Sequence, residues 1–280
     1  MALLLKTMYH LYQKAVIESS DPRTRNWFMT GSPIPCIILL LCYNYFVQKL
    51  GPELMKDRKP FNVDRLIQIY NIIQVLLCSW LVIECFMECY GPTGSYSWTC
   101  EPIDYSESPK ALKVAKFVWI YFMLKISDLL DTIFFVLRKK NSQITFLHIY
   151  HHTGMVMLGW GGTTYLPGGH GVFLGFINSF VHCVMYSYYF LTNYNPELKK
   201  NLWWKKYITQ LQMIQFLMII IHFGFVLVNP YCTYPRWVVL VFIPQNVFMF
   251  ILFWDFYKKA YLRPKKTPVA DAKEISSKAS

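Results

Sequence analysis

The stretch LIQIYNIIQVLLCSWLVIECFMEC, residues 66–89, decides the class of fold to which this chain belongs. It is apolar almost throughout and longer than the ~20 residues that an α-helix needs to cross the hydrocarbon core of a bilayer. Six runs of the same kind lie at 33–50, 114–137, 144–162, 171–192, 207–228 and 236–257. The sequence therefore predicts an all-α, polytopic membrane protein with seven transmembrane helices.

The composition of the 280 residues agrees with this class of protein. Charged residues make up 16% and hydrophobic residues 54%, whereas soluble domains carry about a quarter charged residues. We interpret residues 1–280 as a single membrane domain, with an N-terminal segment at 1–30 and a disordered tail at 258–280 that is rich in Lys, Ser and Ala. The net charge of +12 does not indicate nucleic-acid binding, because no soluble domain is left to carry a basic face.

Basic residues are concentrated in alternate connections between the apolar runs. Lys and Arg are frequent in the connections 51–65, 138–143 and 193–206 and in the tail, and none occurs in 163–170 or 229–235. Positive residues mark the cytosolic side of a membrane protein. The distribution therefore predicts a lumenal N-terminus and a cytosolic C-terminus.

Cys100 and Cys232 differ from the other cysteines of the chain. The other six lie within or beside apolar runs and are interpreted as small buried hydrophobic residues. Cys100 and Cys232 fall in connections that the charge pattern places in an oxidising lumen. We predict a disulfide between them, although the sequence alone does not fix the distance between two facing loops.

Four of the predicted spans carry polar side chains at helical spacing. Polar side chains in lipid cost free energy, so they usually face a cavity or one another. Those of this chain are Lys125, Asp128, Asp131 and Thr132 in the third span, His148, His151 and His152 in the fourth, Asn178, His182, Tyr186 and Tyr189 in the fifth, and Thr209, Gln212 and Gln215 in the sixth. At 1.5 Å per residue these groups lie at overlapping depths beneath the cytosolic surface. We expect one buried polar site that opens to the cytosol.

The remaining histidines receive no catalytic role. His222 falls deeper than the polar layer and is interpreted as a satisfied core histidine, while His10 and His170 are placed near lumenal surfaces. The Phe, Tyr, Leu and Met side chains of the bundle either line a tunnel for an alkyl chain or pack the helices together.

The stretch His148-Ile-Tyr-His151-His152 is the sharpest motif and permits two kinds of chemistry. Imidazoles at this spacing bind a metal ion, or they act as nucleophile and general base. A di-iron centre of the desaturase type is short of ligands, because His182 is the only further histidine in the layer. Two other interpretations stay open. One is a single metal ion held by the histidines with Asp128 or Asp131, and the other is a seven-helix receptor or transporter that is not an enzyme.

Four motifs resemble those of the very-long-chain fatty acid elongases, the ELO family. Lys125-Ile-Ser-Asp-Leu-Leu-Asp131-Thr132 is similar to KxxExxDT, His148–His152 to HxxHH, Asn178–Tyr189 to NxxHxxMYxYY, and Thr209–Gln215 to TxxQxxQ. The motifs occur in the family's order and cover nearly the whole hydrophobic chain. Asp128 stands where the family has glutamate, so the charge is kept on a side chain one methylene shorter.

The resemblance implies a 3-oxoacyl-CoA synthase of the endoplasmic reticulum membrane, which condenses a long-chain acyl-CoA with malonyl-CoA and releases carbon dioxide and CoA. It implies a six-helix bundle around an acyl-chain tunnel and no cofactor besides the two substrates. The expected partners are membrane lipid, other enzymes of the elongation cycle and a second copy of the chain, with no nucleic acid. The alternative is a metal-dependent membrane lipid desaturase or hydroxylase.

Each motif residue then has an expected role. We expect His151 to attack the thioester and carry the acyl group, while His182 with His148 or His152 orients His151 and moves protons. The rival mechanism is direct transfer of the acyl group, in which the histidines act only as bases. The expected supporting groups are Lys125 paired with Asp128 or Asp131, Tyr186, and the oxyanion donors Asn178, Gln212 and Gln215. The residues expected either to hold the CoA phosphates or only to signal topology are Arg138, Lys139, Lys140, Lys205 and Lys206.

Overall fold

The computed structural model describes residues 1–200 and 202–262 of the chain. Within these residues the regular structure is helical throughout, as expected where a backbone in lipid must satisfy its own hydrogen bonds. The helices are α1 Ala2–Tyr12, α2 Ile34–Met55, α3 Asp64–Tyr90, α4 Pro109–Ser127, α5 Leu129–Leu137, α6 Phe146–Tyr165, α7 Val172–Tyr194, α8 Leu202–Val228 and α9 Arg236–Tyr257. Of the tail predicted at 258–280, residues 263–280 lie outside the described part.

Every apolar run predicted from the sequence coincides with helix. Among the residues that the structure describes, five helical stretches are long and apolar enough to cross a membrane, namely Ile34–Met55, Asp64–Tyr90, Gly169–Tyr194, Trp203–Val228 and Arg236–Leu262. The chain is therefore a multi-pass helical membrane protein. The other two runs are less apolar. The run at 114–137 forms α4 and α5 and carries the lysine and carboxylates of the motifs, and the run at 144–162 forms α6 and carries the histidines.

The third predicted run is not one continuous helix, because it breaks at Asp128. The N–H of Asp128 still donates to the carbonyl of Leu124 at 2.9 Å, but the N–H of Asp131 donates to the carbonyl of Asp128 at 3.3 Å, which is a tighter three-residue turn. Helix α4 ends at this turn and α5 begins after it. The break lies in the middle of the first motif, where Lys125 and Asp128 are both buried.

The connections gather at two opposite ends of the bundle. At the first, which we call the basic end, Arg138 forms an ion pair with Asp64 at 3.2 Å, and Lys139 donates to the carbonyl of Lys56. At the second, which we call the disulfide end, Cys100 and Cys232 are joined with their Cα atoms 5.7 Å apart. The disulfide predicted from the sequence is thus present, and it ties the connection before α4 to the one between α8 and α9.

Close packing between helices sets the shape of the interior. Helix α3 lies along α7, α4 packs against α6, and α8 packs against α9. The contact of α4 with α6 depends on Gly159, because a Cβ added there would lie 3.2 Å from the Cα of Phe122. Helix α2 packs against α5 and α6, and outward-facing side chains of α3 such as Leu66, Ile69 and Leu76 are exposed, as a lipid-facing surface requires.

Candidate active site

A buried ion pair lies at the centre of the polar site. The Nζ of Lys125 is 2.7 Å from an Oδ of Asp128, and only 3% and 4% of the two side chains are exposed. Charges are held away from water only when they are paired and hydrogen-bonded. The sequence left Asp128 and Asp131 as alternative partners of Lys125, and in the structure Asp128 is the partner.

One tyrosine hydroxyl bridges the two carboxylates. The OH of Tyr186 lies 2.9 Å from Asp128 and 2.8 Å from Asp131, so its single proton serves one carboxylate at a time. Gln74 of α3 donates to Asp128 at 2.9 Å and also to the hydroxyl of Tyr70, which lies 3.2 Å from that of Tyr186. Helix α3 thus helps to hold Asp128 in place, directly through Gln74 and indirectly through Tyr70 and Tyr186.

Gln74 and Tyr70 were not selected from the sequence. A signal for them exists, because an amide and a tyrosine one helical turn apart interrupt an otherwise apolar run. The pairing of α3 with α7 turns this polar stripe toward the site, and the sequence does not state that pairing.

Asn178 and His182 on α7 complete the environment of the lysine. Lys125 donates to the Oδ1 of Asn178 at 3.0 Å and lies 3.4 Å from the Nδ1 of His182. Tyr121 also donates to the Oδ1 of Asn178, at 3.0 Å. Two donors fix the amide orientation, so that the Nδ2 of Asn178 donates to the Oε1 of Gln215 on α8 at 3.3 Å.

The histidine box begins at the first turn of α6. Thr145 caps this helix, because its hydroxyl accepts the backbone N–H of His148 at 3.3 Å. The Nε2 of His148 lies 2.7 Å from the hydroxyl of Thr132. The rings of His148 and His152 are 4.2 Å apart and those of His151 and His152 are 5.5 Å apart, so the box is one cluster of three imidazoles.

His151 faces open space, unlike the buried groups around Lys125. It lines a cavity with Asn178 and Gln215. The three box histidines are half-buried, whereas Lys125 and His182 are buried. Across the described residues, neither ring nitrogen of His151 is engaged in a hydrogen bond with another protein group.

An apolar chamber lies next to this cavity. It shares Met155, Leu158 and Leu174 with the cavity that contains His151. Phe117, Phe176 and other apolar side chains form the rest of its wall. Polar groups of the box and of α7 and α8 therefore lie at one side of a space suited to an alkyl chain.

Some predicted site residues lie elsewhere. Gln212 is half-buried and donates to the sulfur of Met185 at 3.7 Å rather than lining the cavity with Gln215. Lys139 is engaged with backbone carbonyls and Arg138 with Asp64, whereas Lys205 and Lys206 lie on the first turns of α8 at the same end. Lys140 lies between α5 and α6.

The two histidines at the disulfide end form a stacked pair. The rings of His170 and His222 are 3.7 Å apart and nearly parallel, and the Nε2 of each lies near the backbone carbonyl of the other, at 2.8 and 3.4 Å. The prediction of a core role for His222 agrees with these contacts. His170 belongs to the disulfide end, where its side chain is completely buried. Its place near a lumenal surface depends on the orientation of the chain in the membrane and stays a prediction.

Metal coordination was the other chemistry open to the histidine box. Across residues 1–200 and 202–262, no group of three or more His, Cys, Asp or Glu side chains is arranged to hold a metal ion. The groups that lie together are the imidazoles of α6, the amides of α7 and α8, and the buried ion pair.

The fold and the site define a class of protein: a multi-pass helical membrane protein in which a histidine cluster faces a cavity between a buried ion pair and an apolar chamber. Residues 28–269 match the model of a family described as ELO: GNS1/SUR4. The chain belongs to this family, and the resemblance inferred from the four motifs is confirmed.

Curated relatives cover nearly the whole chain. A very long chain fatty acid elongase of Aedes aegypti is 42% identical over 275 residues, which are 97% of this chain and 75% of that protein. Very long chain fatty acid elongase 7 of Rattus norvegicus is 43% identical over 253 residues, with 90% and 89% covered. Very long chain fatty acid elongase 1 of Homo sapiens is 38% identical over 268 residues, with 95% of each chain covered.

Proposed function

We propose that this protein catalyses the condensing reaction of fatty acid elongation through an acyl-imidazole on His151. It is a fatty acid elongase, an acyltransferase of the 3-oxoacyl-CoA synthase type, which joins a long-chain acyl-CoA to malonyl-CoA. The observation that carries the proposal is the position of His151, which faces a cavity between amide donors and an apolar chamber. No further cofactor enters the proposal.

The first half of the reaction transfers the acyl group to the protein. The alkyl chain lies in the apolar chamber and its thioester carbonyl reaches His151. A ring nitrogen of His151 attacks the carbonyl carbon, the carbon–sulfur bond breaks, and CoA leaves as its thiol after it takes up the imidazole proton. An unengaged ring nitrogen is what this step requires, and His151 has one within the described structure.

The oxyanion of this step is assigned to Gln215. Lys125 and Tyr121 hold the Oδ1 of Asn178, whose Nδ2 in turn donates to the Oε1 of Gln215. The Nε2 of Gln215 is then the amide donor left for a carbonyl oxygen in the cavity. Gln212, which contacts Met185, is a weaker candidate for this role.

The second half forms the new carbon–carbon bond. Malonyl-CoA loses carbon dioxide, and the resulting enolate carbon attacks the acyl carbon while the bond to His151 breaks. The product is a 3-oxoacyl-CoA that is two carbons longer. The ring of His151 leaves without its proton and takes one up from water, which restores its neutral starting state. His182, beside the ion pair, orients the reacting groups and moves protons. The rival reaction is direct transfer without an acyl-enzyme.

We propose a topology of seven spans with a lumenal N-terminus and a cytosolic C-terminus in the endoplasmic reticulum membrane. The concentration of Lys and Arg in the connections of the basic end supports it. The presence of the disulfide at the opposite end supports an oxidising compartment there. The substrates then enter from the cytosolic side, into a six-helix bundle whose apolar chamber is part of an acyl tunnel.

The basic end is the proposed contact for the CoA phosphates. Lys205 and Lys206 are assigned the first contacts, because the side chains of Arg138 and Lys139 are already engaged within the protein. The 3-oxoacyl product must next be reduced, so a reductase of the elongation cycle is the expected partner, and a second copy of the chain is another.

An assay with purified protein tests this function. Acyl-CoAs of increasing length are incubated with malonyl-CoA, and the products are identified by mass spectrometry. We expect a 3-oxoacyl-CoA two carbons longer than the substrate and one carbon dioxide per turnover. The variant His151→Gln should lose this product, whereas the matched control His10→Gln, on exposed α1, should keep it. A product of unchanged length with two hydrogens fewer would contradict the proposal.

A further inference from the structure

A chain of three hydrogen-bonding groups leads from α2 to the histidine box. The hydroxyl of Tyr43 lies 2.7 Å from the hydroxyl of Thr132 on α5, and that hydroxyl lies 2.7 Å from the Nε2 of His148. Tyr43 and Thr132 are both buried. The relay therefore joins a helix that takes no part in the network around Lys125 to the first imidazole of the box.

The direction of the protons along the relay follows from its end group. Across the described residues, the hydroxyl of Tyr43 has Thr132 as its one hydrogen-bond partner. Tyr43 must donate to Thr132, because the reverse arrangement would leave its own proton buried without an acceptor, which is disfavoured roughly tenfold or more. Thr132 then has its proton free for the remaining partner, the Nε2 of His148.

A donor at Nε2 decides the tautomer of His148. The Nε2 lone pair accepts a hydrogen bond from the hydroxyl of Thr132, so a neutral His148 carries its own proton on Nδ1. Its Nε2 is no longer available to attack a thioester or to remove a proton. The ring contact of 4.2 Å then places His152 against a fixed imidazole, and His151 lies next to His152.

We propose that Tyr43 and Thr132 are positioning residues that hold His148 as its Nδ1–H tautomer and leave His151 as the acyl acceptor. The inference deepens the proposed function and rests on it. His148 is thereby a fixed support of the box rather than a nucleophile or a base. Helix α2, which packs against α5 and α6, acquires a role in the reaction through one hydroxyl.

The tautomer can be measured without any turnover. The protein is labelled with ¹⁵N-histidine and studied in lipid nanodiscs by nuclear magnetic resonance, and His148→Asn serves only to assign the His148 signals. We expect the protonated type of nitrogen at Nδ1 and the unprotonated type at Nε2. The opposite assignment in the wild-type protein would overturn the proposal.

Kinetics test whether the relay matters for the reaction. Thr132→Val removes the hydroxyl at nearly constant shape and is expected to lower kcat about tenfold, while KM for both substrates changes less than about twofold. Thr132→Ser keeps the hydroxyl and should stay within about twofold of the wild type. Tyr43→Phe should fall between them, because Thr132 still has a proton to donate.

Two outcomes would refute the relay: a Thr132→Val variant with unchanged kcat, or a Thr132→Ser variant as slow as Thr132→Val. Melting temperatures of all variants show whether each is folded. If Thr132→Val does not fold, the serine variant and the wild-type spectrum still decide. A wild-type protein that forms no acyl-enzyme would refute the covalent step of the proposed function and would leave the tautomer measurement unaffected.

Discussion

Neutralising one partner of the Lys125–Asp128 pair is expected to destabilise the protein more than neutralising both. The two charged groups are 2.7 Å apart and almost fully buried, so a single change leaves one uncompensated charge. Such a charge costs about 3–5 kcal/mol. The lower end applies here, because Asp128 keeps the donors Gln74 and Tyr186 and Lys125 keeps its bond to Asn178.

These magnitudes define a double-mutant cycle. The changes Lys125→Met and Asp128→Asn should each lower the free energy of unfolding by about 3 kcal/mol, and the double variant by about 2 kcal/mol. The coupling free energy is then on the order of 4 kcal/mol. The free energy of unfolding is measured in mixed micelles by titration with a denaturing detergent, followed by tryptophan fluorescence.

An exposed ion pair between α4 and α3 supplies the matched control. Lys113 lies 2.8 Å from Glu88, but 45% of the lysine side chain is exposed, and exposed pairs contribute about 0–1 kcal/mol. The cycle of Lys113→Met with Glu88→Gln should therefore give a coupling below about 1 kcal/mol. A coupling for the buried pair no larger than this control would refute the view that the pair organises the site.

Three further predictions concern stability. Cys100→Ser opens a disulfide that closes a separation of 132 residues. It should lower the free energy of unfolding by up to about 5 kcal/mol, lower the melting temperature and make that temperature independent of reductant. Cys42→Ser, at an exposed position, should have none of these effects. Gly159→Ala should lower the free energy of unfolding by about 1–3 kcal/mol, because the added methyl meets the backbone of α4, whereas Gly161→Ala meets open space and should be neutral or stabilising. Burial raises the pKa of the Glu101 carboxyl above its ordinary value, so ionisation of this group disfavours the folded state as the pH rises above the ordinary glutamate pKa near 4.3. Glu101→Gln should therefore raise the melting temperature at pH 7 but not at pH 4. An equal change at both pH values would contradict a raised pKa of Glu101.

The positions of helices α2 to α9 could be predicted from the sequence, because long apolar runs are typical of segments that cross a bilayer. Helix α1 lies in the N-terminal segment, where no helix was predicted, and the break at Asp128 was not predicted either. The members of the polar site were predictable for the same reason, since Lys125, Asp128 and His151 would be costly at those depths without a shared cavity. The pairing of particular groups was not predictable. The sequence does not state that α3 lies along α7, and so it did not reveal Gln74.

Some contacts depend on packing that the sequence pattern does not record. Residues three apart are offset by about 60° around a helix, and with the packing of α7 against α8 this offset leaves Gln212 on Met185 while Gln215 lines the cavity. His170 precedes the predicted start of its span by one residue, and the sequence does not show that a short turn stacks its ring on His222. Thr132 was selected as part of a motif, but its contact with Tyr43 depends on how α2 packs against α5.

The proposed reaction depends on a covalent acyl group on His151. The purified protein is incubated with a long-chain acyl-CoA in the absence of malonyl-CoA, quenched rapidly, digested and examined by mass spectrometry. We expect one CoA released per protein, the acyl mass on the peptide that contains His151, and discharge of that adduct to the elongated product when malonyl-CoA is added. Elongation that proceeds with no adduct in the rapid quench, or an adduct that persists in His151→Gln, would rule out an acyl-enzyme on His151.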